Sequence, residues 1–285
     1  MFWKVLSIEN TKIYRRKLFW VELVLMALMV LILQIAIDAT VEASINGTAM
    51  TADDRLEVRQ IISWPGALVN VLNLASGSAL GGLLFVVLVG AITAQEYNWR
   101  TLHLWLSRGI PRPLLGTVKF TALLLPALLI VLTALVTGGA ITGVLSVQID
   151  GSLHLDRVNL LQLLYSAART TYTLLPYGAL TFLLAITSRS TVVAISVGLS
   201  YVLLLESALM QLLGLFGESL RSVTQYMPAA LGNSLLVLNQ ATDLAASSLP
   251  VSSVSPLIAV LGIAAWTLLF LGLSLLIIQR QDLTA

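Results

Sequence analysis

Cysteine is absent from the 285 residues, histidine occurs twice, and charged side chains make up only 11% of the chain. The first absence removes disulfides, thiolate nucleophiles and Cys-ligated metals. His103 and His154 each lack a second ligand at metal spacing, so no zinc or haem centre, and no cofactor of any kind, is expected in this chain. Catalytic signatures are missing as well. There is no GxSxG, no HExxH and no intramembrane acid pair, which argues against a membrane protease or lipase. No GxxxxGK[ST] occurs either, so any ATP that drives this protein has to bind a separate subunit.

What fills the chain instead is apolar: 58% hydrophobic residues and a mean hydropathy of +0.92, against the quarter or so of charged residues usual in soluble domains. The reading is an all-α integral membrane protein. A net charge of +2, with 16 Lys and Arg residues spread along the chain, gives no groove-sized basic patch, so nucleic acid is not an expected partner.

A helix needs about twenty mostly apolar residues to cross roughly 30 Å of hydrocarbon. Six runs meet this, at 18–37, 75–94, 120–144, 168–187, 191–213 and 256–278; the fourth is the weakest because it is short and holds Pro176. With six spans, eleven of the sixteen basic residues fall on the side that holds both termini, and Arg55, Arg59, Arg157, Arg169 and Arg221 fall on the other. The excess places both termini in the cytoplasm of a multi-pass plasma-membrane protein, here a bacterial inner membrane. Trp3, Trp20, Trp99 and Trp105 fall near the inner boundary and Trp64 near the outer, where indole prefers to sit; Trp266 lies mid-span, as a packing residue would.

Several smaller features complete the layout. Residues 1–17 form an amphipathic interfacial helix with Phe2, Leu6, Glu9 and Ile13 on one face and Lys4, Thr11, Lys12 and Arg15 on another. Ser63-Trp64-Pro65-Gly66 opens a short external helix before span two. The stretch 215–255 is a second external region, with a short re-entrant helix over Ala229–Leu238 after Tyr226-Met227-Pro228. Gly77 with Gly81, and Gly139 with Gly143, are spaced four apart in spans two and three, which reads as close helix packing within the chain, the alternative being a homodimer face or substrate path. Glu206 is the one acid well inside a span, about 22 Å deep, with Arg169 its nearest sequence candidate for an ion pair; Glu22 should snorkel to the inner interface.

The richest segment is 95–112, between spans two and three: Gln95-Glu96-Tyr97-Asn98-Trp99-Arg100-Thr101-Leu102-His103-Leu104-Trp105-Leu106-Ser107-Arg108-Gly109-Ile110-Pro111-Arg112, followed by Lys119. Trp99, Leu102 and Leu106 recur at helical spacing opposite Arg100, His103 and Ser107. Arg108 suits a helix C-terminus, Gly109 supplies a left-handed cap and Pro111 stops the helix. The plain alternative is an ordinary basic loop.

Glu96-Tyr97, Thr101-Leu102, Leu106, Ser107-Arg108-Gly109-Ile110, Arg112 and Lys119, in that position within six spans, resemble the ABC-2 type transporter permeases, the membrane subunits of bacterial ABC exporters. Arg100 stands where that family usually has glycine. The resemblance covers nearly the whole chain as one transmembrane domain and implies a coupling helix at 95–112 that fits a cytoplasmic ATPase. It makes Glu96, Tyr97, Arg100, Thr101, Arg108, Gly109 and Arg112 candidate ATPase contacts. It also implies a P-loop ATPase in two copies that carries ATP and Mg, a second permease subunit, identical or homologous, and a non-catalytic exporter chain surrounded by membrane lipids; the mostly apolar spans favour an amphiphilic or hydrophobic substrate over a bare ion. The competing reading is an ATP-independent carrier or scaffold subunit in which Glu206 and the glycine pairs do the work; co-purification of an ATPase separates the two.

Overall fold

The computed structural model describes residues 2–47, 64, 66–98, 109–150, 160–215, 223–239 and 254–281. Among these, all regular structure is helical: α1 (Phe2–Tyr14), α2 (Lys17–Gly47), α3 (Ala67–Leu74), α4 (Leu80–Asn98), α5 (Arg112–Asp150), α6 (Leu160–Ser188), α7 (Thr191–Ser200), a π-helical stretch (Tyr201–Leu205), α8 (Glu206–Leu215), α9 (Pro228–Leu236) and α10 (Pro256–Arg280). Five helices are long and apolar enough to cross a membrane, at Lys17–Val41, Arg112–Val147, Leu160–Ser188, Thr191–Leu213 and Pro256–Arg280; Leu80–Glu96 is a shorter apolar helix.

Helices α5 and α6 form the centre. Half or more of the most apolar stretch of each is buried, whereas α2, α7–α8 and α10 each turn a face rich in exposed Leu, Ile and Val outward. Helix α4 lies against α6, α7, α2 and α5 and is buried nearly all round, as a helix with no polar face must be. The main apolar cluster joins Phe19, Met26 and Val30 of α2 to Phe85 and Leu88 of α4, Leu123 and Ile130 of α5, and Phe182 of α6. At 39 residues α5 is about 58 Å long, so it overruns a ~30 Å hydrocarbon layer and carries the chain well past the 120–144 run at both ends. Helix α6 is continuous through Pro176 and starts eight residues before the expected 168.

The second apolar run departs from expectation. Ala75–Ala94 is not one helix: α3 ends at Leu74, residues 75–79 make a turn, and α4 begins at Leu80. In that turn Ser76 N–H donates to Asn73 O, and the N–H groups of Ala79 and Gly82 both donate to Ser76 O. Gly77 and Gly81 therefore share no helical stripe. A Cβ on Gly77 would collide with the Thr173 carbonyl of α6, and one on Gly81 with the Ala75 backbone, so one glycine admits α6 and the other lets the turn fold back. The α5 glycines are packing residues: Gly138 lies against Val71, Gly139 against the Trp64 ring and Leu68, and Gly143 is buried on the same helix. The neighbours of Gly138 and Gly139 are α3 and its approach, within this chain.

Gly77 N–H also donates to Thr173 Oγ1 at 3.0 Å. Gly77→Val should push the turn off α6 and break that bond, an overpacking cost of about 1–3 kcal/mol, read as a lower thermal midpoint in detergent. Gly272→Ala, where an added Cβ meets nothing within 4 Å, is the control expected to leave the midpoint in place.

Candidate functional site

The bundle has a basic end, where α1, the start of α2, the end of α4 and the start of α5 meet. Helix α1 buries Val5, Glu9 and Ile13, spaced four apart, and the same stripe that packs Val5 against Ile110, Leu115 and Val118 carries the Glu9 carboxylate inward. There it meets the ammonium of Lys119, about two turns into α5, at 3.3 Å. The same ammonium pairs closely with Glu96 at the end of α4. Lys12 closes the group, 2.9 Å from Glu9 and 3.7 Å from Glu96. Two carboxylates and two ammonium groups thus neutralise one another. Side-chain exposure is 4% for Glu9, 5% for Glu96 and 11% for Lys119, so little water screens them.

Burial alone would raise the Glu9 carboxyl; Lys119 and Lys12 outweigh it and hold the group below the ordinary carboxylate range. Arg16 joins the cluster from the α1–α2 link, its guanidinium donating to Gln95 Oε1 at 2.7 Å. Burial lowers the Arg16 value, and the fields of Glu96 and Glu9 act in the opposite sense.

The two flanks of the 95–112 segment are therefore tied down. Glu96 precedes it, and on the other side Gly109 takes the left-handed conformation expected of it, with φ +75°. Arg112, the first residue of α5, donates from one guanidinium nitrogen to the carbonyls of Gln279 and Gln281 at 3.1 and 2.9 Å. These are orphan acceptors at the end of α10, where a cation also suits the helix dipole. Gln281 in turn donates to Ile186 O of α6 at 3.0 Å. Tyr97 lies in α4, and only its backbone is described. Arg100, Thr101 and Arg108, with the helix expected over Trp99–Leu106, lie outside the described residues.

Sequence reasoning missed Glu9. The signal was there: a glutamate in the Phe2–Leu6–Ile13 stripe has to lie on membrane or find a cation, and Lys119 was already singled out. Glu22 is a related correction. It does not reach an interface but is buried, both oxygens without a partner among the described residues. Phe19, Met26 and Val30 set the inward face of α2, and Glu22 falls on it.

At the far end the structure gives Glu206 different partners from the one expected. Its carboxylate accepts from Tyr177 Oη at 2.8 Å and from the backbone N–H of Ala229 at 2.6 Å. Ala229 lies in the first turn of α9, so Glu206 caps a helix N-terminus from another element, where a carboxylate is favoured. Arg169 is engaged elsewhere, donating to Tyr165 O one turn back. A short helix, α9, forms at Pro228 where one was expected over Ala229–Leu238, and Trp266 holds its approach by donating to Tyr226 O at 2.9 Å.

The fold and these two sites define an all-helical chain with several helices fit to cross a membrane and a buried charge cluster at one end of the bundle. The chain belongs to the family described as Protein of unknown function (DUF2705), whose model matches residues 67–284. That span takes in Glu96, Lys119 and Glu206 and leaves out α1 and α2, hence Glu9 and Lys12. No curated protein matches the chain.

Proposed function

We propose that this chain is the membrane-spanning permease subunit of an ATP-driven ABC-2 type exporter of amphiphilic or hydrophobic substrates. In this reading α4, at 19 residues about 28 Å long, is the sixth crossing, and both termini face the cytoplasm. A second permease subunit, identical or homologous, pairs with it, and two P-loop ATPase subunits carry ATP and Mg. The 95–112 segment receives the ATPase movement through Glu96, Tyr97, Arg100, Thr101, Arg108, Gly109 and Arg112.

The observation that supports the reading best is the buried cluster of Glu9, Lys12, Glu96 and Lys119. Force on a surface segment moves a bundle only if the segment is joined stiffly to it. Here the helix leading into the segment and the one leading out share one ammonium group, and α1 is locked to both. The Arg112 bonds extend the block to α10. Glu206 has both oxygens engaged, one by Tyr177 of α6 and one by the N-terminus of α9, which favours an anchor between the two helices over the ion relay of the competing carrier reading.

Affinity purification of the tagged chain from native membranes in mild detergent is the direct test. The expected result is a P-loop ATPase in near-equal amount; an intact assembly with none would overturn the proposal. In the assembled complex, a flexible glycine linker inserted after Gly109 should leave ATP hydrolysis running while transport stops. Unchanged transport would refute the coupling mechanism.

A further inference from the structure

Helices α2 and α3 both pack on α5 and leave a cavity of about 310 Å³ between them. Its walls carry Leu33, Ile37 and Leu74, and into it project three carboxamides: Gln34 from α2, Asn70 and Asn73 from α3. Gln34 is 93% buried, being 7% exposed, and continues the inward stripe of Met26 and Val30. Asn70 and Asn73, three apart, lie on one face of α3. Among the described residues none of the three side-chain amides has a hydrogen-bond partner. Gln34 is the buried one of the three, Asn70 and Asn73 are half-buried, and the space is partly open; amides facing such a space within a lipid surround are costly unless something there binds them. Gln34 is 17 residues beyond Lys17, so the cavity sits about 26 Å along α2 by helix rise, toward the far end of a ~30 Å crossing.

We propose that this cavity is a binding site for a single-chain amphiphile whose head offers hydrogen-bond donors and acceptors without negative charge, such as an acyl amide or acyl alcohol. A carboxamide has two N–H donors and a carbonyl acceptor, so it can exchange hydrogen bonds in both directions with an amide or a hydroxyl and can donate to an ester carbonyl. None of the lining residues is charged, which leaves a bare ion without a counter-charge. Asp38, one turn past Gln34 on α2, has a buried, unpaired Oδ1, and a carboxylate that close along the helix disfavours a phosphate head. The volume is at the low end of small-ligand sites and holds a head and the first part of a chain. The rest of the chain runs along the exposed Leu31, Ile32 and Ile35 of α2.

As an assignment of the transported substrate this rests on the exporter reading; as a binding site it does not. The test is photolabelling of the purified full chain in nanodiscs with a diazirine-bearing N-acyl ethanolamide, beside a diazirine-bearing phosphatidylglycerol. The ethanolamide should label residues 30–37 and 70–79, and the double variant Gln34→Leu/Asn73→Leu should lose about tenfold of that labelling, the scale of one or two amide hydrogen bonds. Leu33→Trp, which fills the space without touching the amides, should reduce labelling similarly and guards against misfolding of the double variant. Labelling spread evenly over the exposed faces of α7 and α10 and unchanged in both variants would overturn the proposal, as would equal labelling of the cavity by phosphatidylglycerol. Labelling needs no ATPase, so its failure leaves the exporter reading standing, and absence of an ATPase leaves the site standing.

Discussion

Lys119→Met should destabilise the protein by about 3–5 kcal/mol, the cost of stripping a buried ion pair of one partner. Glu9 and Glu96 would then face each other across the base of the bundle with Lys12 the one remaining ammonium group of the four-residue cluster. The readout is thermal unfolding in detergent together with protease sensitivity of α1, which should come loose. If the loss reflects the cluster and not an overpacked methionine, adding Glu9→Gln to Lys119→Met should cost much less than the sum of the single variants, because the second change removes the charge that the first left unpaired. An additive double variant would show that Lys119 acts alone.

The same cluster fixes an acid limit. Glu9 has a folded-state value below its ordinary 4.5, so it binds a proton less readily folded than unfolded. Its contribution is complete above about pH 4.5 and is lost as pH falls through the lower folded value. Wild type should therefore lose thermal stability more steeply than Glu9→Gln below that pH, and a parallel pair of profiles would remove Glu9 as the cause.

Glu206→Ala is the second large effect expected. It leaves the Tyr177 hydroxyl and the Ala229 N–H without their acceptor, at roughly 1–3 kcal/mol for each buried donor. Helix α9 should detach from the far end, and a probe at Ser234, which is buried in the native fold, should become accessible. Glu206→Gln is the informative companion. A glutamine can turn its oxygen to Ala229 and its amide nitrogen to the Tyr177 oxygen, keeping both bonds without the charge. If Glu206 is an anchor, glutamine is tolerated and alanine is damaging. If it relays a proton or cation, glutamine abolishes transport while α9 stays in place.

Both predictions concern residues that were visible in the sequence without their partners. Glu206 could be found because an acid inside an apolar run is rare, and Arg169 was the nearest cation by position. Chain order gave no hint that α9 would return its N-terminus to the same carboxylate. Gly77 and Gly81 had the spacing of a helix-packing pair, yet the turn formed by Ser76 and its hydrogen-bond donors broke the helix between Leu74 and Leu80.

Helical class, five of the six apolar runs, the left-handed conformation of Gly109 and the short helix opening at Pro228 were determined by sequence alone. Each depends on hydropathy, a fixed φ or a missing N–H within a few residues, and such local causes survive in any tertiary context. Tertiary structure alone decided that Glu9 and Glu96 share Lys119, that Glu206 caps α9, that Glu22 points inward and that Gln34 meets Asn70 and Asn73 across a cavity. These depend on the rotation of each helix about its axis and on which helices become neighbours, and both are set by close packing of the whole bundle.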